Sequence, residues 1–184
     1  MNEVEKTFLK WGLKGMNVYE FNRTVEFYMS TLGMTSEQVD ATFLLGKLKE
    51  LKIEELRLLC DSSIESGFTA TNGHFYRMNR DDQLNMIGQK DFLYDNPEES
   101  IVYWKTEDSG YVSHTREEWM SIYSQGFLDK KKKLFKYDRL RTKVRSATTS
   151  DEVVSIFWDD PEPVVEESAS TGTPTEPTTE ETVV

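Results

Sequence analysis

At Gly67 the apolar residues of this 184-residue chain stop recurring every three or four positions, strand-like segments follow on either side of a short helical stretch after Asn79, and sustained helical spacing resumes after Thr115. Alternation lines one face of a strand, whereas a three-to-four spacing lines one face of a helix, so the pattern confines the chain to helices enclosing a small antiparallel sheet. Phe68-Thr69-Ala70-Thr71 and His74-Phe75-Tyr76-Arg77 flank Asn72-Gly73, a dipeptide that accepts positive φ, and are expected to form a hairpin. Ile101 to Lys105 and Tyr111-Val112-Ser113-His114, joined by the turn-rich Glu107-Asp108-Ser109-Gly110, are expected to form a second. The two can pair into one sheet packed on helices, an α+β arrangement.

The flanking segments carry helix start and stop signals. Val4, Phe8 and Trp11 predict a short amphipathic helix interrupted by Gly12 and Gly15. Asn17 with Glu20 caps a second helix, through Val18, Phe21, Val25, Tyr28 and Leu32, that Gly33 ends. Thr35 with Gln38 reads as a capping box opening a third, carried by Phe43, Leu44, Leu48, Leu56 and Ile64 towards Ser66, with Gly46 as a candidate bend. Asn79 or Asp81 caps a short helix through Leu84, Met86 and Ile87, and Asp95-Asn96-Pro97 makes a turn. Thr115 with Glu118 opens a long helix to about Ala147, with Gly126 as its weak point, and Thr149 with Glu152 opens a last short one before Asp159-Asp160-Pro161.

The total charge of −11 is unevenly placed. Eight acids and no Lys or Arg lie between Asp159 and Val184, so that stretch carries −8 of the −11 and residues 1–158 only −3. Four of the five prolines also fall there, and its repeated Thr, Ser, Pro and Glu cannot bury enough apolar surface to offset chain entropy, so 161–184 is expected to be disordered. The organisation read from these shifts is a helical region over 1–50, an α+β domain over 51–160 and the acidic tail. No stretch approaches the roughly 18 apolar residues of a membrane helix, and a soluble, non-secreted protein is expected. A lone cysteine, Cys60, excludes an intrachain disulfide and a thiolate zinc cluster.

Residues suited to catalysis are sparse. His74 and His114 lie in expected strands without an i, i+4 partner, and Cys60 follows Leu56 and Leu59, where a buried inert thiol is expected and a Cys–His pair is the alternative. The isolated glycines form no phosphate-binding loop, and Asp81-Asp82 and Glu117-Glu118 sit at helix starts, where acids favour the dipole. No catalytic residue, metal or cofactor is assigned, and the chain is read as a non-enzyme.

The one concentrated charge in the body is basic: Lys130, Lys131, Lys132, Lys133, Lys136, Arg139, Arg141, Lys143 and Arg145 stand against Asp138 alone within sixteen positions, a local charge of +8. It is read first as a solvated helix face above an apolar seam of Phe135, Tyr137, Leu140 and Val144, with the −8 tail as an intramolecular partner. A phosphate-tracking surface for nucleic acid is the less favoured alternative. Tyr19, Phe21, Phe27, Tyr28 and Met29 supply more apolar positions than one helix stripe needs, which fits either a partner surface or a small bundle core.

The order of Gly67-Phe68, Asn72-Gly73-His74-Phe75, Asp81-Asp82-Gln83-Leu84-Asn85-Met86-Ile87, Trp104, Thr115 with Glu118, Arg145-Ser146-Ala147-Thr148-Thr149-Ser150 and Ile156-Phe157-Trp158 resembles a domain of unknown function recurrent in tailed-phage and prophage proteins, often near tail-fibre or baseplate genes. The resemblance covers residues from about 60 to 158, departs from it in the Lys-rich helix and the acidic tail, and supplies no catalytic residues. It implies a structural protein of the phage tail or baseplate acting through protein contacts, or a tail-fibre assembly chaperone absent from the mature virion. Other tail or fibre proteins are then the expected partners, with a second copy of this chain as a further one, no membrane, and a location in the virion or the host cytoplasm.

Overall fold

A computed structural model describes residues 1–161, so the expected disordered tail lies, from Glu162 onward, outside the described residues. Among the described residues the fold is α+β: six helices and two antiparallel hairpins. In chain order these are α1 (Glu3–Gly15), α2 (Val18–Leu32), α3 (Ala41–Ser66), β1 (Phe68–Thr69), β2 (Phe75–Tyr76), α4 (Arg80–Asp95), β3 (Ile101–Thr106), β4 (Gly110–Thr115), α5 (Arg116–Ser146) and α6 (Ser150–Val154). Side chain and backbone exchange hydrogen bonds in the capping boxes Asn17/Glu20, Thr115/Glu118 and Thr149/Glu152, as the sequence predicts, and also in Asn2/Glu5 and Asn79/Asp82.

The third helix starts later than its sequence signal. Thr35 N–H donates to Gln38 Oε1 at 2.8 Å, but that bond closes an isolated turn, and Asp40 caps α3 by accepting from Phe43 N–H at 2.7 Å. Val39 just before the cap and Leu44 in the first turn are both buried in one core, the placement of a hydrophobic staple, and this fixes the helix entry. α3 then runs unbroken through Gly46. α4 spans 16 residues, longer than the short helix expected.

α3 and α5 lie antiparallel, since Lys49 meets Arg145 while Ser63 meets Lys133. Two cores are strung along α5. Leu140 and Val144 join Phe8, Tyr28, Leu44, Leu48, Leu56, Val153 and Ile156 in the first, so residues 1–50 share their interior with both ends of the expected α+β domain. Trp119 and Ile122 join Phe68, Tyr76, Met86, Leu93 and Val102 in the second. At about 1.5 Å per residue the two sets stand roughly 30 Å apart along the helix. Gly126 is a contact point in an unbroken α5, and no weak point: a Cβ there would stand 2.7 Å from Phe68 Cε1 and 3.0 Å from Cζ.

The hairpins form two separate two-stranded sheets in place of one. β1 and β2 pair over two residues each, Phe68 with Tyr76 and Thr69 with Phe75. Beyond them Ala70 N–H bonds His74 O, Gly73 N–H bonds Ala70 O, and only Gly73 takes positive φ (86°), giving a three-residue loop in place of a two-residue Asn-Gly turn. The outer edge of β2 hydrogen-bonds to the turn between β3 and β4 in place of a strand. Glu107 N–H donates to Phe75 O at 3.0 Å, and Asp108 accepts from Phe75 N–H at 2.8 Å and from His74 Nδ1–H at 2.7 Å. Those bonds, with that of the Ser109 hydroxyl, hold the Asp108 carboxyl far below the ordinary carboxylate range.

His114 is buried beneath this junction between the rings of Tyr76 and Trp119. The Tyr76 hydroxyl accepts from Asn72 Nδ2–H at 2.8 Å and so keeps its own proton for His114 Nε2 at 3.3 Å, a geometry for a neutral imidazole. Burial pushes the His114 pKa below its ordinary 6.5, against the upward pull of Glu118. Below about pH 6.5 the unfolded chain therefore takes up a proton that the folded chain refuses, and stability falls with pH until the lower folded value is reached. Thermal melting should drop between pH 7.5 and 5 in the parent and drop less in His114→Gln; equal pH slopes would remove His114 as the cause.

Candidate protein-contact surface

The nine cations from Lys130 to Arg145 are one run in sequence and several different environments in space. Lys133 is largely buried: its Nζ donates to Ser63 O (2.8 Å) and Gly67 O (2.9 Å) at the C-terminal end of α3 and pairs with Asp129 (2.6 Å). Lys130 bonds Gln83 Oε1 on α4, Lys136 lies over the Trp158 ring at 5.1 Å, and Arg141 pairs with Asp138 beside Tyr137. Arg139 is half-buried, with its Nη2 lacking a hydrogen-bond partner among the described residues. Lys131, Lys132, Lys143 and Arg145 are exposed, Lys143 facing Asp160 at 3.5 Å, where the described part of the acidic stretch meets the helix. Of the expected seam, Leu140 and Val144 are buried and Tyr137 packs on the core, whereas Phe135 stands 64% exposed beneath the Lys131 ammonium.

Cations at helix ends recur as a structural device. Arg116, outside the basic run, donates to Leu93 O, Asn96 O and Glu99 O at the end of α4, and Lys49 of α3 donates to Arg145 O at the end of α5. Each satisfies carbonyls that a helix terminus leaves open and opposes the negative end of its dipole.

A cluster of exposed apolar side chains surrounds α4. Met86 and Leu93, seven residues apart, are its only buried apolar side chains, which leaves Leu84, Ile87, Phe92 and Tyr94 outside. Between α4 and α5 lies a groove of about 400 Å³ with Met86, Ile87, Tyr123, Phe127 and Leu134 on its walls and Lys130 and Lys131 at its rim. Ile87, Phe127 and Leu134 are 45%, 58% and 43% exposed, so the second core continues outward into this groove. On the other side of α4 a groove of about 560 Å³ faces the outer surface of β3 and β4. The sequence carries the signal for this exposure, since Leu84, Met86, Ile87, Phe92, Leu93 and Tyr94 occupy more than one side of a helix and cannot all face one core. Of the five apolar residues singled out near the N-terminus, Tyr28 is buried and Phe27 and Met29 pack on the core, as a small bundle core requires, while Tyr19 (73%) and Phe21 (36%) face solvent.

The residues suited to chemistry are not brought together. Cys60 is buried with its Sγ towards Lys133 O at 3.6 Å, burial raises its pKa, and the two imidazoles engage Asp108 and Tyr76. Among the described residues no group of three His, Cys, Asp or Glu is placed to hold a metal ion, and no helix is long and apolar enough to cross a membrane.

The chain belongs to the family described as a domain of unknown function (DUF4376), whose profile matches residues 47–159. That span takes in most of α3 and everything from the hairpins through α6, including both grooves beside α4. No curated protein and no solved structure matches the chain.

Proposed function

We propose that this protein is a non-catalytic component of a tailed bacteriophage, built into the tail or baseplate and acting by protein contacts with other tail or fibre proteins. The observation that carries the contact reading is the apolar groove between α4 and α5, where exposed Ile87, Phe127 and Leu134 extend the second core into solvent under a lysine rim. Aromatic, Met and aliphatic walls with a polar rim are the make-up of an interface centre, and large apolar side chains left in water cost free energy that a partner recovers. The phage assignment rests on the resemblance of residues 60 to 158, and with it the location in virion or host cytoplasm.

Mass spectrometry of purified particles tests the placement. A virion component is present in fixed stoichiometry with the tail proteins, whereas an assembly chaperone, the runner-up, is found with fibre proteins in the lysate and is missing from particles. Phe127→Asp should lower co-purification with the partner by about tenfold or more, since a central interface residue typically contributes about 2 kcal/mol. Phe127 is 58% exposed in the free protein, so melting should change little. Co-purification equal to the parent would remove the groove as the contact.

A further inference from the structure

The second groove beside α4 differs in chemistry from the first. Its outer wall is the solvent face of the β3–β4 hairpin, where Tyr103 and Tyr111 stand 70% and 77% exposed. Tyr103 pairs with Ser113 and Tyr111 with Lys105, so the two tyrosines are diagonal neighbours on one face, roughly 7–8 Å apart. α4 supplies the other wall with Leu84, Asn85, Gly88, Gln89 and Phe92, a single helix face by their spacing. The amides of Asn85 and Gln89 have no hydrogen-bond partner among the described residues, so each offers a donor pair and an acceptor to whatever enters.

Charge narrows the class of ligand. The lining holds Arg77 and Lys105 against Asp82 and Glu107, so it has no net charge, and Arg77 is already paired with both carboxylates. An anion such as nucleic acid or an acidic peptide meets no net attraction there. Flat rings with electron-rich faces attract the polarised C–H groups of a ligand, and neighbouring amides match groups that both give and accept hydrogen bonds. A neutral carbohydrate carries the two on the faces and edges of one ring.

Gly88 adds an independent observation. It lies in the middle of α4, exposed, and a Cβ added to it would meet nothing within 4 Å. Neither turn geometry nor packing accounts for a residue that weakens a helix, while the lack of a side chain keeps the groove floor open between Asn85 and Gln89. We infer that the groove between α4 and the β3–β4 hairpin is a binding site for a neutral glycan, held by stacking on Tyr103 and Tyr111 and by hydrogen bonds to Asn85 and Gln89.

The test is a printed array of neutral and acidic glycans probed with the full-length protein, with the bound neutral glycans then titrated in solution against variants. Tyr103→Ala with Tyr111→Ala should weaken binding at least tenfold, and Gly88→Leu should abolish it while melting at or above the parent temperature, because its Cβ meets nothing within 4 Å and a helical glycine is removed. Phe127→Asp, in the other groove, should bind glycan like the parent, which keeps this site separate from the protein-contact reading. An array without neutral binders, binding restricted to acidic glycans, or parent-like affinity in the Gly88→Leu and tyrosine variants would each overturn the assignment.

Discussion

Gly67→Ala is expected to lower stability by roughly 3–5 kcal/mol, because it combines a forbidden backbone conformation with a backbone collision. Gly67 ends α3 at φ 104° and ψ −159°, and a Cβ there would lie 2.1 Å from Tyr76 O and 2.9 Å from Arg77 Cα. Neither neighbour is the end of a flexible side chain, so relief requires β2 to move away from β1. That movement would disturb the Phe68 and Tyr76 rings, which stack at 5.6 Å inside the second core. For a chain of this length the loss corresponds to a melting temperature lower by on the order of 10 °C. Gly46→Ala in the middle of α3 is the control with opposite sign: its Cβ meets nothing within 4 Å, and removing a helical glycine should add about 1 kcal/mol. Circular dichroism melts of both variants check the pair, and a Gly67→Ala melt within 2 °C of the parent would refute the collision.

Local signals in the sequence located most elements because their causes are local. The caps at Asn17, Thr115 and Thr149 are settled within four residues, and each lies where the residues predict, while the turn at Asn72-Gly73 lies in its expected place as a three-residue loop. The later start of α3 was less legible, since the Thr35/Gln38 pattern forms its first hydrogen bond and only the burial of Val39 with Leu44 moves the helix entry to Asp40. Long-range contacts left weaker traces. Gly126 looked like a helix defect because its reason is the Phe68 ring, 58 positions earlier. Similarly, no periodicity announces that the β3–β4 turn lies against β2 through Asp108, because the bonds join residues 33 and 34 positions apart. The grooves were partly legible: alternation in β3 and β4 puts Tyr103 and Tyr111 on one face, but their meeting with Asn85 and Gln89 depends on where α4 packs.

The basic run shows most directly how a linear pattern can hide separate roles. Reversing Lys133 alone, Lys133→Glu, is expected to cost about 3 kcal/mol or more, the scale of breaking a largely buried, charge-assisted set of bonds. Its ammonium satisfies Ser63 O and Gly67 O and neutralises Asp129, whereas a carboxylate in that position would face two carbonyl oxygens and a second carboxylate. Because Gly67 O is one of the acceptors, the damage reaches the joint between α3 and the first hairpin that Gly67→Ala also strains, so the double variant should lose less than the sum of the two. Lys132→Glu, one position away and exposed, should change stability by no more than about 0.5 kcal/mol. Reversal of Lys130 to Lys133 as a block would therefore unfold part of the protein before it reported on surface charge. Urea denaturation of the two single variants separates the roles: a large fall in midpoint for Lys133→Glu and almost none for Lys132→Glu is the expected result. Equal midpoints would mean that Lys133 is as solvated as its neighbours.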